Sequence, residues 1–334
     1  MDCEYIEAVC SKNNSDIYGY VHSQVIPVKN LKPRKHSYQP SVIVILLDCL
    51  SFGQSKRTLN ETLTYLSEHY EAVEFPYINK VGVNSMPNGI ALWFGKQVTH
   101  PFDRSMFGGN VTEPDWQVDD ICKRYLDNET SLWKIATDNG YVTMNTDDWI
   151  KTMLIYPICK AFNVQPYHHD FHSFTRAAND DGERVTRKHL RIDSCREDHH
   201  THLEHLEHFL KAYKDTPKFS WSWLSNLGHD DYNGYKRADK YLMEYFRRNQ
   251  KLLDDSFVFL MGDHGSWHQP KDDFGATTYL NMPNEKGSSF LRYQPNIPRT
   301  CGTLPIPTEF CICRMSRVSV YDRALETRFW PFGS

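Results

Sequence analysis

The chain has 334 residues, of which 40% are hydrophobic and 24% charged, and its formal net charge is -4 at pH 7. This balance is typical of a globular protein with a sizeable core, organised as one large α/β domain or two smaller ones. It gives no electrostatic reason to expect nucleic acid as a partner. No apolar run approaches the roughly 18 residues that a membrane-spanning helix needs.

The first forty residues differ in composition from the rest of the chain. Residues 1–40 contain three prolines, at Pro27, Pro33 and Pro40. Because proline interrupts both helices and strands, we predict an irregular N-terminal extension at 1–40, outside a main domain at 41–315 and before a tail at 316–334. The first residues also lack the charged and apolar regions of a signal peptide.

An apolar run that ends in an acidic residue opens the main domain. Six consecutive apolar residues at 42–47 predict a strand buried on both faces of a sheet, and Asp48 follows where the run stops. A helix predicted at 58–70 and a short strand at 72–75 come next. This β-α-β order predicts a mostly parallel sheet, whose strand ends are where ligands bind. Asp48 is therefore a candidate ligand-binding residue, or else a loop cap.

A second candidate lies at the start of a helix. Pro87 suits a first helical turn, and apolar residues continue as far as Phe94. Ser85 is therefore predicted at a loop-to-helix junction, where backbone N–H groups and the helix dipole favour an anion. The alternative is that Ser85 is only the N-cap of the helix, a common role for serine.

The middle of the chain continues the alternation of helices and strands. Its pattern predicts helices at 116–125 and 131–139 and a strand at 141–144. Asp147 and Asp148 follow this strand. They either line the same sheet edge or cap the next helix, and we favour the cap.

Histidines are concentrated in two places. Three of them, His168, His169 and His172, lie in an aromatic loop. Five more lie on a predicted helix, at His199, His200, His202, His205 and His208. A zinc site on this helix is one interpretation, but we favour a solvated helix face.

Two further strands end in polar residues. The strand predicted at 219–224 leads to His229, which is either a site residue or a hydrogen-bonded histidine in a polar turn. After a helix at 238–249, a second strand buried on both faces is predicted at 257–262, and Asp263 and His264 follow it directly. Carboxylates and imidazoles at converging strand ends are typical of a metal site.

Two features favour the extracellular space or the lumen of the secretory pathway. Glycosylation sequons begin at Asn13, Asn60, Asn110 and Asn128. Five of the nine cysteines lie near the chain ends, at Cys3, Cys10, Cys301, Cys311 and Cys313. Terminal clustering of this kind predicts disulfides. A secreted or lumenal protein whose leader is absent from this chain accounts for both features, and a cytosolic protein with free thiols is the alternative.

The candidate residues occur in the order of a known superfamily. Asp48 follows a buried strand, Ser85-Met86-Pro87 opens a helix, His229 follows a third strand, and Gly262-Asp263-His264-Gly265 follows a fourth. This order resembles the alkaline phosphatase/sulfatase superfamily. The run at 79–88, the residues around His229 and the cysteine-containing tail at 298–313 resemble its sulfatase-like branch, domain of unknown function 229. The resemblance covers most of 40–315 and implies a three-layer α/β/α fold with a mostly parallel, alkaline-phosphatase-like central sheet.

The resemblance implies a metal-dependent hydrolase of phosphate or sulfate esters. Asp48, Asp263 and His264 would hold a divalent cation (Zn²⁺, Ca²⁺, Mg²⁺ or Mn²⁺), and Ser85 would be the nucleophile touching it. His229 would contact the ester or complete a second metal position. Metal coordination makes chemical sense for Ser85, because a free serine hydroxyl is a poor nucleophile at neutral pH. The implied substrate is a small-molecule or glycan ester.

Departures from the family pattern keep other functions open. Cys49 stands where sulfatases have a second carboxylate, and Asn88-Gly89 replaces the Ser-Arg pair needed for formylglycine maturation, which indicates an unmodified serine. Ser225 stands where two-zinc phosphatases have an aspartate. The stretch after Asp263 is too short for the usual final strands and implies a truncated C-terminal part. The second hypothesis is therefore a catalytically inactive lumenal or extracellular binding protein, and the third is a phosphoethanolamine- or glycan-directed transferase.

Overall fold

A parallel sheet with helices on both faces forms the centre of the computed structural model. The structure describes residues 3–75, 78, 80–98, 113–149, 154, 159–179, 184–192, 196–231 and 233–265. The strands are β1 (Tyr5–Lys12), β2 (Ser15–Ser23), β3 (Ser41–Leu47), β4 (Val142–Asp147), β5 (His169–Asp170), β6 (Lys218–Leu224) and β7 (Ser256–Gly262). The helices are α1 (Phe52–Thr58), α2 (Asn60–Tyr70), α3 (Ser85–Phe94), α4 (Val118–Lys123), α5 (Leu132–Asp138), α6 (His172–Asn179), α7 (Asp198–Ala212) and α8 (Tyr235–Leu253). A short helical segment, Val185–Arg187 and Lys188–Ile192, lies between α6 and α7.

The five strands β3 to β7 form one sheet in the order β5-β4-β6-β3-β7. Every pairing in it is parallel, which confirms the predicted α/β class and the mostly parallel sheet. In the ladder, Leu47 at the end of β3 is level with Leu224 of β6 and Gly262 of β7. The residues that come after these strands therefore emerge at the same edge of the sheet.

The two faces of β3 enter two different cores, as expected for a three-layer α/β/α arrangement. Ile43 and Ile45 point into a core shared with buried residues of α2, α7 and α8. Val44 and Leu46 point to the other face, where α3, α4 and α5 pack with tryptophans from β6. Alternate β3 side chains are buried on opposite faces because successive residues of a strand point in opposite directions.

The prediction of an irregular segment at 1–40 was wrong for its first half. Strands β1 and β2 pair as an antiparallel hairpin. Asn13 and Asn14, which join them, have φ values of 52° and 58°. Asparagine tolerates this left-handed conformation, which a tight two-residue hairpin turn requires. All three prolines lie after the hairpin and could not disrupt it.

Of two local predictions between β3 and α3, the helix is confirmed and the strand was wrong. The helix predicted at 58–70 is α2, Asn60–Tyr70, and a separate helix α1 precedes it, with the break at Leu59, which has φ -118° and ψ 40°. The Asp239 carboxylate accepts hydrogen bonds from the backbone N–H groups of Glu61 and Thr62 at 2.9 and 2.8 Å and so caps α2 from a distant part of the sequence. The segment 72–75 is not a strand, since it pairs with no strand in the described part of the chain. Apolar composition alone does not supply the backbone partners that a strand needs.

Strand β7 is not buried on both faces as predicted. In the described sheet it pairs only with β3, and Phe257 and Phe259 are exposed by 60% and 38%. The apolar run of β7 resembles that of β3, so composition could not distinguish an edge position from a central one.

The prediction that the histidines of α7 form a solvated helix face was wrong for three of them. His199, His202 and His205 are buried, and we call these three residues the histidine face. Only His208 of the five histidines is exposed. The spacing of three residues aligns the histidine face with the apolar stripe that contains Leu203 and Leu206, and this carries it into the core.

A disulfide joins Cys122 and Cys159. The predicted terminal disulfides stay a prediction: Cys3 and Cys10 are free thiols among the described residues, and Cys301, Cys311 and Cys313 lie outside them. Across the described residues, no helix is both long and apolar enough to cross a membrane.

Candidate functional site

Two aspartates meet where β3 and β7 end. Asp48 follows Leu47, and Asp263 follows Gly262, which is the ladder partner of Leu47. The two strand ends approach closely, because a Cβ added at Gly262 would lie 2.0 Å from the carbonyl oxygen of Leu50. Both aspartates are buried. The predicted convergence of the two acidic strand ends is therefore present in the structure.

Ser85 reaches the same place from the start of α3. The N-cap of α3 is Asn84, and Ser85 is the first helical residue, so the N-cap interpretation of Ser85 was wrong. The Ser85 Oγ instead lies 3.1 Å from Asp48 Oδ1 and 3.0 Å from His264 Nε2. The hydroxyl is thus held between a carboxylate and an imidazole, where it can donate to one of them.

The loop before Ser85 is fixed by Asn88, which in the sequence stands out only as a departure from the sulfatase pattern. The buried Asn88 carboxamide accepts from the Val81 and Gly82 N–H groups at 2.8 and 3.3 Å. It also donates to the Gly82 and Asn84 carbonyl oxygens at 3.0 and 2.7 Å. All four bonds lie within the turn that delivers Ser85, so Asn88 sets the position of that hydroxyl.

His264 completes the group, and its hydrogen bonds define its tautomer. Nδ1 lies 2.8 Å from the Gly265 carbonyl oxygen, which can only accept, so Nδ1 carries a proton. In the neutral ring Nε2 then presents a lone pair, and it lies 3.5 Å from Asp48 Oδ1 and 3.3 Å from Asp263 Oδ2. These three atoms are all electron-rich and repel one another unless a positive charge lies among them.

Asp263 leaves one oxygen free for such a charge. Its Oδ1 accepts hydrogen bonds from the Cys49 and His264 N–H groups at 3.1 and 2.8 Å. Its Oδ2 is buried without a hydrogen-bond donor in the described part of the chain. An orphaned carboxylate oxygen beside an imidazole lone pair is a donor set that fits a divalent cation.

Burial gives Asp48 an unusual environment. Loss of hydration, followed by the nearby negative charge of Asp263, raises the pKa of the Asp48 carboxyl well above its ordinary value. Tyr235, also buried, donates its hydroxyl to the Asp48 carbonyl oxygen and so fixes the backbone at this point. A bound cation would offset the repulsion between these two poorly hydrated carboxylates.

Cys49 is a member of the site that was not among the predicted metal ligands. The potential ligand atoms of Asp48, Cys49 and His264 all lie within 4.8 Å of one another. The signal was present in the sequence, because Cys49 occupies the position of a second carboxylate in the sulfatase pattern. We call Asp48, Cys49, Ser85, Asp263 and His264 the strand-end cluster.

His229 lies outside the strand-end cluster. Its side chain is 42% exposed, and its Nδ1 lies 2.7 Å from Asp230 Oδ1. Its ring contacts that of Trp149, with centroids 4.9 Å apart. In the described part of the chain it forms no hydrogen bond with Asp48, Ser85, Asp263 or His264, so its predicted role in ester contact or a second metal position stays a prediction.

Asp148 lies at the same sheet edge, and the predicted cap of the next helix stays a prediction, because residues 150–153 lie outside the described part of the chain. Its carboxylate accepts from the backbone N–H groups of Ser225 and Asn226 at 2.5 and 3.2 Å. Burial, and then the charges of Asp198 and Asp147, raise the pKa of the Asp148 carboxyl. Asp148 therefore fixes the loop that leaves β6 and leads to His229.

Comparison with known proteins identifies a family. The family model that matches residues 1–275 is described as a protein of unknown function (DUF229). The chain belongs to the DUF229 family. The match includes the whole strand-end cluster and also the N-terminal hairpin, so it crosses the boundary predicted at residue 40. No curated protein matches the chain.

Proposed function

We propose that this DUF229 chain is a metal-dependent hydrolase of phosphate or sulfate esters, with Ser85 as its nucleophile. The observation that carries the proposal is the position of the Ser85 Oγ, 3.1 Å from Asp48 Oδ1 and 3.0 Å from His264 Nε2, beside the orphaned Asp263 oxygen. The order of these residues along the chain, which resembles the alkaline phosphatase/sulfatase superfamily, supports the same reaction class.

Asp48, Asp263 and His264 would hold the cation, which is Zn²⁺, Ca²⁺, Mg²⁺ or Mn²⁺. When bound, the cation would lower the pKa of the Ser85 hydroxyl and offset charge on the transferring group. Two other residues would position the nucleophile and accept its proton. Asn88 fixes the turn before Ser85, and Asp48 Oδ1 lies within reach of the Ser85 proton.

The reaction would run in two displacements. In the first, Ser85 Oγ bonds to the phosphorus or sulfur atom, its proton passes to Asp48 Oδ1, and the ester oxygen leaves and takes a proton from water. In the second, the hydroxide left by that water attacks the serine-bound group and displaces the Ser85 oxygen, phosphate or sulfate is released, and Ser85 Oγ takes its proton back from Asp48.

A secreted or lumenal location is part of the proposal. The described sequon asparagines Asn13, Asn60 and Asn128 are all exposed, as glycosylation requires. The Cys122–Cys159 disulfide is compatible with an oxidising compartment. A small-molecule or glycan ester found there would be the substrate.

A binding protein without turnover is the second candidate. It is favoured by the burial of the site, since Ser85 is only 9% exposed, and by the hydrogen bond of His229 to Asp230 rather than to the described residues of the strand-end cluster. Such a protein would keep the cation site and bind an anionic group without hydrolysing it.

Replacement of Ser85 separates the two candidates. Ser85→Ala should abolish hydrolysis of aryl phosphates and sulfates assayed with each of the four cations, while the variant stays folded. Ser131→Ala is the matched control: Ser131 is buried and caps α5 by accepting from the Lys134 N–H at 3.2 Å. This control should lose about 1 kcal/mol of stability and keep its activity. Metal-dependent hydrolysis that survives in Ser85→Ala would refute the nucleophile, and a wild type that binds the cation but hydrolyses no ester would favour the binding protein.

A further inference from the structure

Cys49 is buried beside the atoms that would hold the cation. It is 4% exposed, and its potential ligand atom lies within 4.8 Å of those of Asp48 and His264. This group offers one thiol, one imidazole and one carboxylate, and Asp263 Oδ2 lies 3.3 Å from His264 Nε2. Thiolates prefer soft ions such as Zn²⁺, whereas carboxylates suit hard ions such as Mg²⁺ and Ca²⁺.

The backbone at Cys49 has a conformation that residues other than glycine rarely adopt. Its φ is 61°, in the left-handed region that glycine occupies at no steric cost and other residues at roughly 1 kcal/mol or more. This conformation turns the Cys49 N–H toward Asp263 Oδ1, 3.1 Å away. Glycine could make the same backbone hydrogen bond without strain, so the backbone requirement alone does not explain a cysteine here.

Sulfur changes which cations the site prefers. Mg²⁺ and Ca²⁺ take oxygen ligands almost exclusively, whereas Zn²⁺ and its larger relative Cd²⁺ bind thiolate and imidazole readily. Carboxylates and one histidine alone would accept either class. One thiolate together with the Asp48 carboxylate and the His264 imidazole gives a three-residue set of the kind that Zn²⁺ binds at sites with an open position.

We propose that Cys49 Sγ is a ligand of the cation and makes the strand-end cluster selective for thiophilic ions such as Zn²⁺ over Mg²⁺, Ca²⁺ and Mn²⁺. Cation binding releases the thiol proton to solvent and forms a metal–sulfur bond. The inference rests on the cation site of the proposed function and specifies which ion it takes.

Metal titration with a spectroscopic readout tests this. Full-length protein, freed of metal by a chelator, is titrated with Cd²⁺ and separately with Mn²⁺, and ultraviolet absorption from sulfur-to-cadmium charge transfer is recorded. The variants are Cys49→Ser, which exchanges sulfur for oxygen at nearly the same size, and Cys49→Gly, which also suits the positive φ. Cys10→Ser is the control, because Cys10 is an exposed free cysteine.

The wild type and Cys10→Ser should share a charge-transfer component that both Cys49 variants lack. The variants should bind Cd²⁺ and Zn²⁺ on the order of 10- to 100-fold more weakly, with Mn²⁺ affinity within a few-fold of wild type. A charge-transfer spectrum and Cd²⁺-to-Mn²⁺ affinity ratio unchanged in Cys49→Ser and Cys49→Gly would overturn the inference. If the Cys49 variants show this result and still hydrolyse esters, the proposed function stands and only the role of the thiolate is refuted. If the wild type binds no cation, the inference and the proposed function are both refuted.

Discussion

The strand-end cluster and the histidine face both bury ionisable side chains, but only one of them brings its ligand atoms together. In the strand-end cluster, oxygen, nitrogen and sulfur atoms from β3, α3 and β7 surround one small space. On the histidine face, His205 packs its ring 4.5 Å from that of Phe171. Both His205 ring nitrogens lack a hydrogen-bond partner in the described part of the chain.

The difference shows that a high local content of histidine does not make a metal site. The histidine face has more imidazoles than the strand-end cluster, but they lie along one helix and contact aromatic rings. Convergence needs several chain segments that end at one place, which the parallel sheet provides for Asp48 and Asp263. Among the described residues, the group within metal-binding distance is the one at the strand ends.

The largest effect should come from forcing the two strand ends apart. Gly262→Ala would place a Cβ 2.0 Å from the Leu50 carbonyl oxygen, and this backbone atom cannot move away without shifting Asp48 relative to Asp263. We expect turnover to fall on the order of 100-fold, as for a displacement of about 1 Å in a catalytic group.

Gly19→Ala is the control for steric strain alone, since its Cβ would meet Thr186 Oγ1 at 2.2 Å in the N-terminal hairpin region. It should lower thermal stability and leave turnover of the folded protein unchanged. Wild-type turnover in Gly262→Ala would show that turnover does not depend on the distance between the strand ends. It would contradict the claim that convergence distinguishes the strand-end cluster from the histidine face.

A smaller, pH-dependent effect should come from the histidine face. Burial lowers the pKa of His199 and of His205 to about 3, so both rings are neutral in the folded protein and charge more readily when it unfolds. Their contribution to stability is therefore complete above about pH 6.5 and is lost as the pH falls toward 3. Between about pH 6.5 and pH 5, each of the two histidines should lower the free energy of unfolding by roughly 1 to 2 kcal/mol.

Unfolding by urea at a series of pH values measures this loss. His205→Phe places an apolar ring beside Phe171. It should reduce the loss of unfolding free energy between pH 6.5 and pH 5 by about 1 to 2 kcal/mol, the contribution of one histidine. His208→Gln, on the exposed side of α7, should behave as the wild type does. An acid decline in His205→Phe as steep as that of the wild type would contradict the buried, neutral histidine.

The sequence predicted the parts of the molecule that depend on local pattern and chain direction. The strand beginning at Ser41, the parallel sheet and the meeting of Asp48, Ser85, Asp263 and His264 result from apolar runs and from strand ends sharing one edge. The hairpin could also have been predicted, because Asn13-Asn14 is a turn signal between alternating residues.

The rest depends on contacts between distant segments. Capping of α2 by Asp239 and the edge position of β7 involve partners far along the chain. Burial of the histidine face depends on which side of α7 meets the sheet. Cys49 was visible as a departure from a pattern, but its place beside His264 comes from the backbone turn after β3.

Metal stoichiometry tests the central claim most directly. Protein dialysed to equilibrium against Zn²⁺ or Mn²⁺ should retain one cation per wild-type chain. Asp263→Asn, which removes the charge of the orphaned carboxylate, should weaken binding at least roughly 10-fold. His205→Phe should bind as the wild type does. A wild type that retains no cation, or a cation lost in His205→Phe but kept in Asp263→Asn, would contradict the account.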